Sequence, residues 1–501
     1  MYVDKSRILM GRLSLNIKQY VTTKISVIYL VQSPYILFVF LLTLLTTLPK
    51  ATAHGLGGDG QFYAVLARNL SEGIGNFWVP SFSETLLSGF YEHPPLAIGI
   101  QSLFFRIFGD SYLVEKFYSL GTLFIVQLFM VLIWFRLFKN NERLKALFWL
   151  PLLFLILVPT VTHSIGNNVL ENTMGVFTII AMYSLLRSID NDINYYWTFF
   201  AALMLVFAIL AKGPAGSFLL VFYPLYFLTT KSINRKTAIK STVFHVFSFS
   251  LIFGLLLLND AARDSLTHYF NGQLMGAIKN GRGMAKDSHF YIVGELLKDL
   301  LPLFIILVLM YAFKRKNIKF NYDAQVLKIA LLFLVLGLSA SIPSMISLKQ
   351  NVTYIVTCYP YFAIGFAILV MMMSDNSKGK KQGVSNSAKV LSIMSIVAIF
   401  SVLVFSFSSN ERVLKQKNYY YDAKIISKYL TAQTVIGLCS KPMFPWDIHS
   451  FFARYYRVSL DYNAPYKHKY FIGSTACAPE PSNSYKLINT KFKYLKLFER
   501  I

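Results

Sequence analysis

Apolar runs of near-membrane length recur along the chain, separated by short polar stretches. A helix needs about 20 mostly apolar residues to cross the hydrocarbon core. By that measure the runs at 34–49, 113–135, 147–163, 173–187, 197–211, 215–228, 243–258, 297–313, 327–346, 352–373 and 390–408 predict about eleven transmembrane helices. The runs between 173 and 228 are short and crowded. The middles of the runs carry almost no ionisable residues.

Two polar interruptions are long, at about 50–112 and 259–296, and the chain is polar again from 409. In the first, "GQFYAVLARNL" has helical spacing, with Phe62, Val65, Leu66 and Leu70 on one face. It is too short to span, and its predicted place is the membrane surface. Pro94-Pro95 bars helix at Glu92-His93 and starts a second helix after them. The last segment predicts a small α/β domain. "YYYDAKIISKYLTAQTVIGLC" reads as helix then strand, and "FARYYRVSLDYN" and "KHKYFIG" read as further strands. The chain therefore divides into a helical membrane domain, 1–408, and a domain at 409–501 whose role is acceptor binding or structure.

Composition agrees with this class. Of 501 residues, 55% are hydrophobic and 15% charged, too few charges for a soluble surface of this size. The net charge of +25 does not indicate nucleic acid, because the basic residues fall in short loops between apolar runs. Lys5, Arg7, Arg12, Lys18 and Lys24; Lys139, Arg143 and Lys145; Lys231, Arg235, Lys236 and Lys240; Lys314, Arg315, Lys316 and Lys319; and Lys378, Lys380 and Lys381 mark one set of loops as cytoplasmic. The basic N-terminal stretch lacks a small-residue cleavage site and reads as cytoplasmic. The alternate loops, Asp59 among them, then face outward, and an odd span count puts the tail outside too. Cys439 and Cys477 in that tail form either one disulfide or two thiols. Neither common glycine-rich phosphate loop is present. An enzyme facing outward would draw its activated substrate from lipid.

An Asp soon after the first span, the aromatic "FYAVLARNL", "NFWVP", "YEHPPL" and "RIFG" follow in order. "VLENTMGVFTIIAMYSLLR", "LAKGPAGSFLLVFYPLYFL" and "SLKQNVTYIVTCYPYFAIG" come after them. This series resembles the polyprenyl-phosphate-dependent glycosyltransferases of the GT-C fold, among them bacterial relatives of protein O-mannosyltransferases and the lipid A aminoarabinose transferase. The similarity covers about residues 35–375. The family's Asp-Glu is here Asp59-Gly60, and its Lys-Pro-Pro is His93-Pro94-Pro95. The resemblance implies transfer of a sugar from a polyprenyl-phosphate donor to a glycolipid, glycan or protein, on the periplasmic side of a bacterial inner membrane.

On that reading Asp59 is the general base that takes the acceptor's proton. Gly57, Gly58 and Gly60 bend the backbone and leave room for sugar. Glu171 orients acceptor or a metal, or is simply a carboxylate at a helix N-terminus. The leaving phosphate needs cations and donors. Candidates are His93, Lys212, Arg282, Lys286, His289 and Lys349, with Tyr354, Tyr63 and Glu92 beside them. For Lys212 and Lys349 the alternative is snorkelling to the interface; for His93 it is an ordinary loop histidine. The long outer loop at about 267–297, glycine-rich in composition, would close over bound substrate as the resemblance implies. No cofactor is required by the pattern, and a divalent metal is left open. The competing functions are a transporter or flippase, or a polymerase or ligase, of lipid-linked sugars. A transporter tends to place charges in mid-span.

Overall fold

The computed structural model describes residues 34–190, 192–279, 286–314, 324–374, 386–408, 412–413, 415, 417–439, 446–474, 477–479, 484–488 and 491–501. The basic N-terminal segment, Arg282 and the basic stretches at 315–319 and 378–381 lie outside the described residues.

The membrane part is a helix bundle. Its main helices are α1 Pro34–Ala51, α2 Gly58–Ser71, α3 Leu96–Phe108, α4 Val114–Leu137, α5 Trp149–Ile156, α6 Pro159–Gly166, α7 Leu170–Ser188 and α8 Tyr195–Ala211. They continue with α9 Phe222–Thr230, α10 Arg235–Leu256, α11 Asp260–Tyr269, α12 Tyr291–Lys314, α13 Ala324–Ser341, α14 Tyr359–Ser374 and α15 Asn386–Ser408. Among the described residues seven helices are long and apolar enough to cross a membrane, or eight if one bent pair counts as a span. Shorter apolar helices occupy Leu96–Phe108, Tyr195–Ala211 and Pro214–Thr230. The difference from eleven falls mostly in the crowded 173–228 region.

The run at 147–163 is not one straight span. It bends by 72° between α5 and α6. Pro159 opens α6, and the preceding Val158 is extended (φ −77°, ψ 116°), as a residue before proline prefers. Burial orders the bundle. The stretch Val352–Met373 is 94% buried and central, whereas α10, α12 and α15 are mostly exposed and peripheral. The core packs around Trp134, Phe154, Phe333, Tyr359 and Tyr361.

The expected surface helix, α2, is instead enclosed by protein. Residues 60–69 are buried on every face. Phe62 and Val65 pack with Phe82, Phe90, Ile98, Leu170, Met174 and Ala453. The cover comes from the C-terminal segment. There α16 Lys417–Ile426, α17 Asp447–Tyr456 and strands β1 Val435–Leu438, β2 Ser459–Asp461, β3 Tyr470–Gly473, β4 Tyr485–Ile488 and β5 Lys496–Arg500 form an α/β module. The sheet order is β2-β1-β3-β5-β4. β1 pairs in parallel with β2 and β3, and β5 runs antiparallel to β3 and β4. Cys439 and Cys477 are disulfide-bonded. The stretch "FARYY", expected as strand, is the end of α17. Ile448, Phe451 and Phe452 are buried at helical spacing.

A buried ion network docks α17 on the bundle. The Arg454 guanidinium donates to both carboxylate oxygens of Glu115 at 3.1 and 2.9 Å, and to Asp110 at 2.6 Å. Arg457 joins Asp110 to Glu72. Arg68 donates to the Ala453 carbonyl at 2.9 Å.

Candidate active site at one end of the bundle

Asp59 lies in the first turn of α2, where a carboxylate is favoured by the helix dipole. It is exposed, and its side chain takes no hydrogen bond or ion pair among the described residues. The turn beneath it is held from outside. The Gly57 N–H donates to Asn167 Oδ1 at 3.0 Å, and Asn168 Nδ2 donates to the Gly60 carbonyl at 3.1 Å. Gln101 fixes the Asn168 amide by donating to its Oδ1 at 2.9 Å. Asn168 has φ +51°, a conformation asparagine tolerates better than most residues. Lys415, beyond the last span, also donates to Asn167 Oδ1, at 2.8 Å.

The glycines act differently from the expectation. Gly58 and Gly60 are inside the helix, and Gly57 has an ordinary φ of −59°, so none marks a bend. A Cβ on Gly60 would run into the Asn167 carbonyl. The glycine permits close approach of two backbones.

One turn on, Tyr63 faces a cationic cluster. Lys212, at the C-terminal end of α8, places Nζ 3.3 Å from Glu171 Oε1 and 3.3 Å from His93 Nε2. The same ammonium lies 5.8 Å from the centre of the Tyr63 ring and 5.6 Å from that of Tyr354. The Lys212 side chain is 14% exposed and that of Glu171 2%, so the lysine is paired inside the protein and does not snorkel to an interface. His93 meets Tyr63 edge-on at 5.8 Å. Glu92 is half-buried beside it and acts electrostatically on Tyr63.

Tyr269, at the end of α11, completes the cluster and was not anticipated. Its hydroxyl donates to the Lys212 carbonyl at 3.4 Å, and its ring lies 6.4 Å from that of His93. The close approach falls at Gly213 in "AKGPAG". Gly213 has φ +136°, and a Cβ there would meet the Tyr269 hydroxyl. Burial raises the Tyr63 phenol above its ordinary pKa, and Asp59, Glu171, Tyr354 and Glu92 add to the rise. Burial and then Glu171 do the same for Tyr269. Both phenols therefore stay protonated and able to donate.

The structure thus brings Asp59, Tyr63, Glu92, His93, Glu171, Lys212 and Tyr354 together. His289 and Lys349 belong to an adjoining pair of loops. His289 is exposed, with Nδ1 2.6 Å from the Met345 carbonyl. Gln350 donates to the His289 carbonyl at 2.9 Å, and the Lys286 N–H to that of Leu348 at 2.8 Å. Lys349 is half-buried, two residues before Asn351, whose side chain caps the 3-10 turn carrying Tyr354. Among the described residues no three His, Cys, Asp or Glu side chains gather as a metal site; Glu171 is already paired with Lys212. Within α12, Asp299 is buried and accepts a hydrogen bond from the Tyr359 hydroxyl.

A sequence model of the dolichyl-phosphate-mannose-protein mannosyltransferase family matches residues 92–258, a stretch that includes His93, Glu171 and Lys212. Comparison with curated protein sequences finds no match. In fold the chain is similar to ArnT from Cupriavidus metallidurans bound to undecaprenyl phosphate, at 15% identity with a TM-score of 0.63 over 93% of this chain and 98% of that one. The same protein in the apo state gives 14% identity and a TM-score of 0.62, over 93% and 97%. Sequence likeness through the middle of the bundle and a common fold through nearly the whole chain make this protein a membrane glycosyltransferase of the GT-C fold.

Proposed function

We propose that the protein transfers a sugar from a polyprenyl-phosphate donor to a glycolipid, glycan or protein acceptor on the periplasmic face of a bacterial inner membrane. The observation that carries this reading is the position of Lys212. A mostly buried ammonium sits among Glu171, His93, Tyr63 and Tyr354, and Tyr63 lies one helical turn after Asp59, whose carboxylate has no partner among the described residues. Cations and neutral phenol donors of this kind suit a phosphate that gains charge as it leaves. Lys349 and His289 stand in the adjoining loops as further phosphate contacts.

In the proposed step Asp59 takes the proton of the acceptor hydroxyl. The acceptor oxygen attacks the anomeric carbon, a new glycosidic bond forms, and the bond to the phosphate oxygen breaks. The electron pair leaves with the polyprenyl phosphate, beside Lys212 and His93, and the anomeric centre inverts. Glu171 balances Lys212 and holds it in place. ArnT bound to undecaprenyl phosphate shares the fold, which supports a lipid of this type as carrier. The candidate groups Asp59, Glu92, His93, Glu171 and Lys212 gather at helix ends and in loops, which favours transfer at a membrane surface over transport through its middle.

The test is mass spectrometry of envelope lipids, glycans and proteins from cells with the gene, without it, and with Asp59→Asn. Loss of one hexose, pentose or amino-sugar mass in both deficient strains is expected. An unchanged profile in the deletion strain rules the reading out.

A further inference from the structure

At the far end of α2 from Asp59 the seam between the first outer loop and the C-terminal module encloses a cavity of about 430 Å³. Ligand cavities favour such inter-module seams. Arg68, Glu72, Glu84, Ser88, Gln433 and Arg457 are among its walls. We propose that this cavity binds a neutral sugar unit of the acceptor. The acceptor is then a glycan or a glycan-bearing molecule; this step rests on the transferase reading above.

The wall chemistry selects the ligand class. Its charges are already balanced. Arg457 pairs with Glu72 at 2.7 Å. Arg68 spends its donors on the carbonyls of Ala453 and Arg454, at 2.9 and 3.2 Å, and on Asn69 Oδ1 at 2.8 Å. No cation is left for a phosphate, and Glu84 repels one. The remaining groups include a carboxylate (Glu84), a hydroxyl (Ser88) and an amide (Gln433). All three residues are exposed, and none of these side chains has a hydrogen-bond partner among the described residues. Sugar hydroxyls both donate and accept, so a polyhydroxyl ring satisfies all three groups. An unpaired cationic ligand would instead meet Arg457.

The walls are also fixed in place. Asn69 Nδ2 donates to the Ser81 and Phe82 carbonyls at 3.0 and 2.8 Å. Thr85 Oγ1 donates to the Leu460 carbonyl at 2.9 Å, so the loop and β2 move as one. Gln433 has φ +64° and its N–H donates to the Arg457 carbonyl at 2.8 Å, which ties it to the end of α17. Arg68 lies nine residues after Asp59 on one helix, about 14 Å at 1.5 Å per residue. An acceptor in contact with both therefore carries more than one sugar ring.

The experiment titrates the full-length protein in nanodiscs with neutral di- to tetrasaccharides of hexose and N-acetylhexosamine, read by saturation-transfer NMR and calorimetry. A Glu84→Ala, Gln433→Gly double variant removes two of the free groups, and the glycine keeps the positive φ. At least one saccharide is expected to bind wild type and Asp59→Asn equally, and the double variant tenfold or more weakly. In transfer assays the double variant raises the acceptor KM by a similar factor with kcat held. The proposal is overturned if no neutral saccharide binds wild type, if the double variant binds as well, or if an anionic saccharide of equal size binds better. Binding that persists while Asp59→Asn still transfers sugar sinks the base assignment and leaves the cavity standing.

Discussion

At the residue scale the proposed mechanism separates two tasks along one helix. Asp59 is exposed and has no side-chain partner among the described residues, so its carboxylate is accessible to an acceptor hydroxyl. Tyr63 is buried and keeps its own. Asp59→Asn should fold and insert normally while transfer falls by about 10²–10⁴-fold, the usual worth of a positioned base; measured turnover near wild type would remove it from that role. The Glu171–Lys212 ion pair bears on stability as well as on the proposed chemistry. Glu171→Leu strands an ammonium that is only 14% exposed, and removing one partner of such a pair costs about 3–5 kcal/mol. Adding Lys212→Met should restore the melting temperature and leave activity absent. Recovery of activity in the double variant would show that the pair is purely structural.

At the element scale, the Asn167–Asn168 turn explains how an exposed acid keeps a defined position. Asn168→Ala removes the bonds to the Gly60 carbonyl and from Gln101 and places alanine at φ +51°, whereas Asn168→Gly accepts that φ and removes only the two bonds. Both should lower kcat, alanine more, and both should leave donor affinity unchanged; a pure KM effect would argue against a positioning role. This turn was hard to read from sequence, because "GNN" carries no mark of the α2 turn it meets more than 100 positions away. The long apolar runs were legible, since membrane length is a local property. The surface placement of α2 was not: its polar-looking face is covered by Ala453 and its neighbours, nearly 400 positions on. The end of α17 looked like strand for a related reason. Tyr and Phe favour strands in isolation, and only packing under the module reveals helical spacing. Lys212, Glu171 and His93 were legible because charge beside apolar runs is costly without a partner; Tyr269 was not, because one tyrosine among 31 draws no notice.

At the scale of the whole molecule, the bundle and the C-terminal module share one ionic seam, and its pH response can be signed. Asp110 meets Arg454 at 2.6 Å and Arg457 at 2.9 Å. Burial alone would raise its pKa, but Arg454, Arg68 and Arg457 outweigh burial and hold the carboxyl below its ordinary value of 3.8. The unfolded chain therefore binds that proton more readily than the folded one, so stability rises with pH across the interval between the two values. The contribution is complete above the ordinary carboxylate range and is lost as pH falls through the lowered folded value. Protection of the α17 amides, once hydrogen exchange is corrected for its intrinsic pH dependence, should thus be flat from about pH 8 to 5, where carboxylates are ionised, and should fall only below about pH 4. Arg454→Met should abolish that flat region by leaving Glu115, 0% exposed, as an unpaired buried acid. Because α17 covers the helix that carries Asp59, the same variant should lose transfer activity while the bundle still inserts. Protection in α17 that already falls near pH 6 in the wild type would show that a group other than Asp110 controls the seam.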